Sequence, residues 1–200
     1  MTLPLIYLAS QSPRRQQLLA QIGAPFELLL PRDTQAAEAL ELEIPDEKPS
    51  AYVKRVTLLK LKAAYALMQQ DRLAPRPVLC ADTTVALGGR ILGKPVDQAD
   101  AVRMLSNLSG QTHSVYTALA LRSGRKTWSV VQHSRVTFAN ISADEIQAYV
   151  ETGEPMGKAG AYAIQGHAAV FIQRIQGSHS GIMGLPLYET RRLLQHLVKE

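Results

Sequence analysis

The chain has 200 residues, 46% of them hydrophobic and 20% charged, the balance of a globular protein with one sizeable core, so a single domain over residues 1–200 is expected. No apolar run reaches the length needed to cross a bilayer, and the N-terminal apolar segment has no basic flank before it, so neither a membrane anchor nor a signal peptide is expected and a cytoplasmic location is. A net charge of +5 favours an anionic ligand, the lack of a lysine-rich tail or aromatic-studded basic strip argues against a nucleic-acid polymer, and the single cysteine, Cys80, excludes an internal disulfide.

Leu3 to Leu8 reads as a short buried strand, and Leu18, Leu19 and Ile22 recur at helical spacing after it, so Leu8 to Arg15 is a strand-to-helix turn. Ser12 is placed as the N-cap and Pro13 as the first helical residue. Arg14 and Arg15 then oppose the positive end of the helix dipole at about 0.3–1 kcal/mol each, a cost that an anion in the turn would reverse. Free helix N–H groups, the Ser10 and Ser12 hydroxyls and two guanidinium groups read either as a phosphate or carboxylate seat or as a plain helix start with two solvated arginines.

Gly23 closes that helix and Phe26 to Leu30 reads as a second strand. Pro31 to Pro49 is acidic, with Asp33, Glu38, Glu41, Glu43, Asp46 and Glu47, and is either a solvated loop or a source of a metal-binding carboxylate. Ser50 to about Gln70 is a long helix striped by Val53, Val56, Thr57, Ala64 and Leu67. Lys60 interrupts the stripe; it either snorkels to water or, the preferred reading beside a suspected anion site, aims its ammonium inward. Val78 to Ala81 is a buried strand that meets Asp82-Thr83-Thr84 and continues as Val85 to Leu87. A carboxylate inside an apolar run is costly unless paired, hydrogen-bonded or metal-bound, so Asp82 reads as a site residue, with turn capping as the plain alternative. Cys80, in the same run, reads as a small buried hydrophobe rather than a catalytic thiol.

Gly88-Gly89 makes a hairpin turn, Arg90 to Leu92 returns, and Gly93-Lys94-Pro95 sets a second lysine where a glycine lets backbone approach a ligand. Asp97 caps a helix carrying Ala101, Met104, Leu105 and Leu108; Thr112 to Leu121 and Trp128 to Phe138 form a long hairpin; Ser142 and Glu145 make a capping box. None of the five histidines has a partner at metal-ligand spacing, which argues against zinc. Seven of the thirteen glycines lie between Gly153 and Gly184 among apolar residues, a density that reads as backbone packed against a ligand. Leu185-Pro186-Leu187 opens a last amphipathic helix that should cover the sheet.

Leu8-Ala9-Ser10 through Ser12-Pro13-Arg14-Arg15, Ala81-Asp82-Thr83, Gly93-Lys94-Pro95, Leu108-Ser109-Gly110, Lys158-Ala159-Gly160-Ala161-Tyr162 with Ile164-Gln165-Gly166, and Gly184-Leu185-Pro186 together resemble the Maf family of nucleoside triphosphate pyrophosphatases, in the family's order across nearly the whole chain. The resemblance implies an α/β fold on an elongated, twisted mixed β-sheet flanked by helices, with two lobes and a central cleft, related to the inosine triphosphate pyrophosphatases. It implies cleavage of a nucleoside triphosphate between its α- and β-phosphates, with a divalent cation, Mg²⁺ or Mn²⁺, in a role that keeps non-standard nucleotides from incorporation. By position, Asp82 matches the family's proton acceptor, Ser10, Arg15, Lys60 and Lys94 its phosphate-binding residues, and Arg14, Thr83 and Gln165 the three positions that separate its subfamilies.

Those three positions resemble the branch acting on dTTP and UTP; the 7-methyl-GTP branch has tryptophan where Arg14 stands, glutamine for Thr83 and glutamate for Gln165. The neutral amide of Gln165 offers a donor and an acceptor, matching a carbonyl oxygen and the ring N–H of uracil or thymine, whereas a carboxylate only accepts. The family's acidic pair after the second strand reads Pro31-Arg32-Asp33-Thr34-Gln35 here, so either Asp33 or Glu41 is the counterpart and metal ligation beyond Asp82 stays open. On this reading Arg15, Lys60, Lys94 and the helix N-terminus hold the triphosphate while Asp82 deprotonates water for in-line attack. The rival of a different class is a division-related regulator that binds nucleotide without chemistry. Dimers are common among proteins of this size, so a homodimer is an open option, though no stripe identifies an interface.

Overall fold

A computed structural model describes residues 3–198. Seven strands form one mixed sheet in the order β2 (Phe26–Leu28), β1 (Ile6–Leu8), β3 (Val78–Leu87), β5 (Thr112–Ser123), β6 (Lys126–Phe138) and β7 (Ile172–Gln176), and β4 (Arg90–Leu92) pairs with β3 off this path. β1 runs parallel to β2 and β3, and the remaining pairings are antiparallel. The helices are α1 (Pro13–Gln21), α2 (Thr34–Ala39), α3 (Pro49–Gln70), α4 (Gln98–Leu108), α5 (Ala143–Glu151), α6 (His179–Ile182) and α7 (Leu187–Leu194). The architecture is therefore the α/β arrangement of a mixed sheet flanked by helices that the sequence implied.

β3 is the axis. It is apolar on both faces because both are covered, as expected of a central strand. Val78 and Cys80 point toward α3, in a core with Leu61 and Met68, while Leu79 and Ala81 point to the opposite side, in a core with Leu8, Leu19, Leu185 and Leu194. Further along, Val85 enters a third core with Leu105, Leu108, Phe138, Ile146 and Tyr162. Each fully buried leucine here contributes about 1.5–3 kcal/mol relative to exposure. Asp82 and Thr83 lie between these cores, where the packing parts.

The edge of β3 explains why. On one side β5 pairs with the strand from Val78 to Ala86. On the other, β1 pairs only with Val78 and Leu79, and β4 only with Val85 to Leu87. Between them β3 has no strand neighbour on that side among the described residues, and the chain leaving β1 turns there into α1. A ligand crevice outside the carboxyl end of a parallel strand is the outcome expected at such a break in the sheet.

Several sequence expectations are corrected. The hydroxyl of Ser12 caps nothing, although Ser12 occupies the N-cap position in an extended conformation; its N–H donates to Ser10 Oγ at 3.3 Å instead. The second strand ends at Leu28 rather than Leu30. Pro31 to Pro49 is not wholly loop, because Asp33 Oδ1 accepts from Ala36 N–H at 3.0 Å and starts α2. Val78 to Leu87 is one unbroken strand through Asp82. β7 was not foreseen: as an exposed edge strand it shows no alternating pattern.

Candidate active site

A cavity of about 900 Å³ opens beside the unpaired stretch of β3, lined by the β1–α1 turn, α2, α3, the Gly157–Gln165 loop and the Ile182–Gly184 turn. The sequence-predicted residues Ser10, Arg14, Arg15, Asp33, Glu41, Lys60, Asp82, Thr83, Lys94 and Gln165 all lie on its wall.

Asp82 and Thr83 are consecutive in a strand, so their side chains take opposite faces. Asp82 faces α3, where Lys60 Nζ donates to its Oδ1 at 3.1 Å and to Glu41 Oε1 at 2.7 Å. Lys94 Nζ donates to the other Glu41 oxygen at 3.2 Å. Lys60 therefore aims inward rather than snorkelling to water. Burial alone would pull its pKa down, but Asp82 and Glu41 more than offset this and hold it above the ordinary lysine value. Burial likewise opposes ionisation of Glu41, and the two lysines overcome it, so its pKa lies below the usual carboxylate value.

Arg15 crosses the open strand edge and reaches both faces. Its Nε donates to Gly184 O at 2.9 Å, Nη1 to Ser10 Oγ at 3.2 Å and Nη2 to Thr83 Oγ1 at 3.3 Å, while Nη2 stands 3.9 Å from Asp82 Oδ1. Only 14% of the Arg15 side chain is exposed, and burial pulls its pKa below the ordinary arginine value against the pull of Asp82. Ser10 Oγ accepts from both Arg15 and Ser12 N–H, which leaves its own hydrogen free to donate to a ligand oxygen. Arg15, Lys60 and Lys94 thus face the two carboxylates of Asp82 and Glu41.

A second group lies along the cavity. Arg14 is half-buried, with its pKa lowered by burial and partly restored by Glu154. Lys158 Nζ donates to Glu154 O at 2.6 Å. The Glu154 carboxylate accepts from His167 N–H at 2.9 Å and from Tyr149 OH at 2.8 Å, and so ties down the loop that carries Gln165 into the cavity. Sequence reasoning missed Glu154, for which the only signal was its place in the glycine-rich segment.

The open choice between Asp33 and Glu41 has a geometric counterpart. Asp33 is engaged in capping α2, while Glu41 and Asp82 converge on the same ammonium. Among the described residues no three His, Cys, Asp or Glu side chains gather as a metal site, so a cation here would take two carboxylates and complete its shell with substrate oxygens and water. That oxygen-only, two-carboxylate set suits Mg²⁺ or Mn²⁺. Of the histidines, His113 Nε2 pairs with Tyr162 OH at 2.8 Å and His133 Nε2 with Ser114 Oγ at 2.9 Å. Cys80 is 1% exposed and burial pushes its thiol up to about 12, as expected of a packing residue.

The chain is 60% identical over 190 residues to a protein of Albidiferax ferrireducens named dTTP/UTP pyrophosphatase, covering 95% of each chain. It is 57% identical over 190 residues to one of the same name from a Polaromonas species, covering 95% of this chain and 94% of that one. A third, from Burkholderia orbicola, is 57% identical over 194 residues, covering 96% and 92%. Among solved structures, the Staphylococcus aureus Ham1 protein matches with a TM-score of 0.43 at 14% identity, over 68% of this chain and 73% of that one. The model of the family described as Maf-like protein matches residues 5–197, the span that contains every side chain of the cavity wall, and the chain belongs to that family.

Proposed function

We propose that this protein is a nucleoside triphosphate pyrophosphatase that hydrolyses dTTP and UTP to the monophosphate and pyrophosphate, working as one domain over residues 1–200 in the cytoplasm, where such substrates occur. The observation that carries the reading is the cluster in which Arg15 and Lys60 face the Asp82 carboxylate and Lys60 and Lys94 face Glu41, on the wall of a nucleotide-sized cavity. The dTTP/UTP pyrophosphatases at 55–60% identity support the choice of substrate. No helix among the described residues is long and apolar enough to cross a membrane.

In this reading Ser10 donates its hydroxyl hydrogen to a phosphate oxygen, and Arg15, held by three acceptors, presents a guanidinium whose orientation is set before substrate arrives. Lys60 and Lys94 exchange the Glu41 carboxylate for phosphate oxygens. Asp82 orients a water and takes its proton as the water oxygen bonds to the α-phosphorus; the bond from that phosphorus to the bridging oxygen breaks, and pyrophosphate leaves. Asp82 and Glu41 would hold a divalent cation, which when bound neutralises phosphate charge and acidifies water. Gln165, with a donor and an acceptor, reads the base, and Arg14 lines the same cavity.

The test is a panel of nucleoside triphosphates with Mg²⁺ or Mn²⁺, scoring pyrophosphate separately from orthophosphate. Pyrophosphate from dTTP and UTP ahead of other nucleotides is the expected result. A preference for 7-methyl-GTP would overturn the base reading and keep the reaction; nucleotide binding without turnover would overturn the reaction in favour of a binding regulator.

A further inference from the structure

The polarity of the hydrogen bonds behind Arg15 follows from elementary chemistry. Thr83 and Thr117 are directly paired across β3 and β5, so their side chains share a face, and their hydroxyl oxygens lie 2.9 Å apart. Thr117 is fully buried, and its oxygen also lies 2.7 Å from Gly181 O. A carbonyl only accepts, so the single Thr117 hydrogen goes to Gly181. Thr117 must then accept from Thr83, which commits the only Thr83 hydrogen. Thr83 in turn can only accept, and the Arg15 Nη2 hydrogen meets its lone pair at 3.3 Å. The result is a one-way chain from Arg15 through Thr83 and Thr117 to Gly181.

The far end of the chain is anchored. Gly181 N–H donates to Ser178 Oγ at 3.0 Å, and Ser178 N–H donates to Ser134 Oγ at 2.9 Å on β6. The reverse polarity would leave two oxygens facing each other at 2.7 Å without a hydrogen, so the buried carbonyl admits one direction only. A Thr83 hydroxyl with its hydrogen spent cannot donate to a phosphate oxygen, which separates its role from that of Ser10.

We infer that Thr117, one hydrogen bond behind the cavity wall, is a positioning residue: it fixes Thr83 as an acceptor and thereby holds the Arg15 guanidinium in its orientation toward Asp82. The inference rests on the reading of Arg15 as a residue that holds substrate phosphate.

The test uses Thr117→Val, which keeps shape and removes the hydroxyl, Thr117→Ser, which restores it, and Thr83→Val, which breaks the same chain from the cavity side. Two readouts are taken on the full chain. The first is rotation of the Arg15 guanidinium about its Nε–Cζ bond, read by ¹⁵N NMR from its Nη resonances; it should speed up by about tenfold in both valine variants and stay near the original rate in the serine variant. The second is pyrophosphate release from dTTP: kcat should fall by about tenfold in each valine variant with KM changed far less, serine should recover it, and the double valine variant should lose no more than Thr83→Val alone. Guanidinium rotation unchanged in a folded Thr117→Val overturns the inference; if that variant does not fold, unchanged rotation in Thr83→Val overturns it equally. Absence of pyrophosphate release by the unaltered protein would count against the proposed function, while the NMR arm would still decide on the chain.

Discussion

Asp82→Asn should move turnover and metal-free binding in opposite directions. Asparagine keeps the volume of aspartate and its oxygen can still accept from Lys60, whose ammonium also retains Glu41 at 2.7 Å, so the local structure survives. What changes is one negative charge in a site where Arg15, Lys60 and Lys94 face only Asp82 and Glu41. A unit charge about 6 Å from a phosphate, at the effective dielectric of a partly buried site and with salt present, is worth about 1–2 kcal/mol, so dTTP should bind about tenfold more tightly to the variant in EDTA. Turnover with Mg²⁺ should fall by about 10³-fold, since under the proposed mechanism the proton acceptor and one carboxylate ligand are lost together. Calorimetry in EDTA and a pyrophosphate assay in Mg²⁺ measure the two effects. Turnover within tenfold of the unaltered protein, or weaker binding in EDTA, would refute the assignment of Asp82.

Burial pushes the His113 pKa down to about 4, so between pH 6.5 and 4 the unfolded chain takes up a proton that the folded chain refuses; stability is complete above pH 6.5 and drops by up to about 3 kcal/mol as the pH falls to 4. Urea unfolding across that range should show a shallower decline in His113→Gln, and parallel profiles would count against the assignment. Gly184 has a φ of +112°, and a Cβ there would lie 3.3 Å from Arg15 Nε; Gly184→Ala should cost about 1–3 kcal/mol in thermal or denaturant unfolding and lower kcat as well. Cys80, with its thiol pushed up to about 12, should resist iodoacetamide at pH 8 until urea is added, as followed by mass spectrometry.

The longest elements were the most legible because their periodicity spans many turns or many strand pairs. In α3, Val53, Val56 and Thr57 of the sequence stripe are buried while Ala64 and Leu67 are half-buried on the cavity wall, and Lys60 stands out as the one cation inside the stripe. Asp82 stood out for the same reason in β3. α2 escaped because six residues of Thr, Gln, Ala and Glu carry no apolar stripe, and β7 because an edge strand exposed along most of its length needs no alternation. The choice between Asp33 and Glu41 was equally closed to the sequence: both are acidic residues of one segment, and only the fold brings one of them to Lys60 while turning the other to a helix end. Thr117 left no signal at all, since threonine is ordinary in a strand and its direction of donation depends on a carbonyl 64 residues away.

The bond from Arg15 to Gly184 O joins residues 169 positions apart. During synthesis the turn that carries Arg15 leaves the ribosome well before Gly184, so one of the three acceptors that orient its guanidinium is supplied only 169 residues later. The growing polypeptide can form α3 and the inner strands of the sheet before that moment, but not this hydrogen-bond set. A nascent chain that has not yet reached Gly184 therefore lacks one of the three acceptors that fix the Arg15 guanidinium.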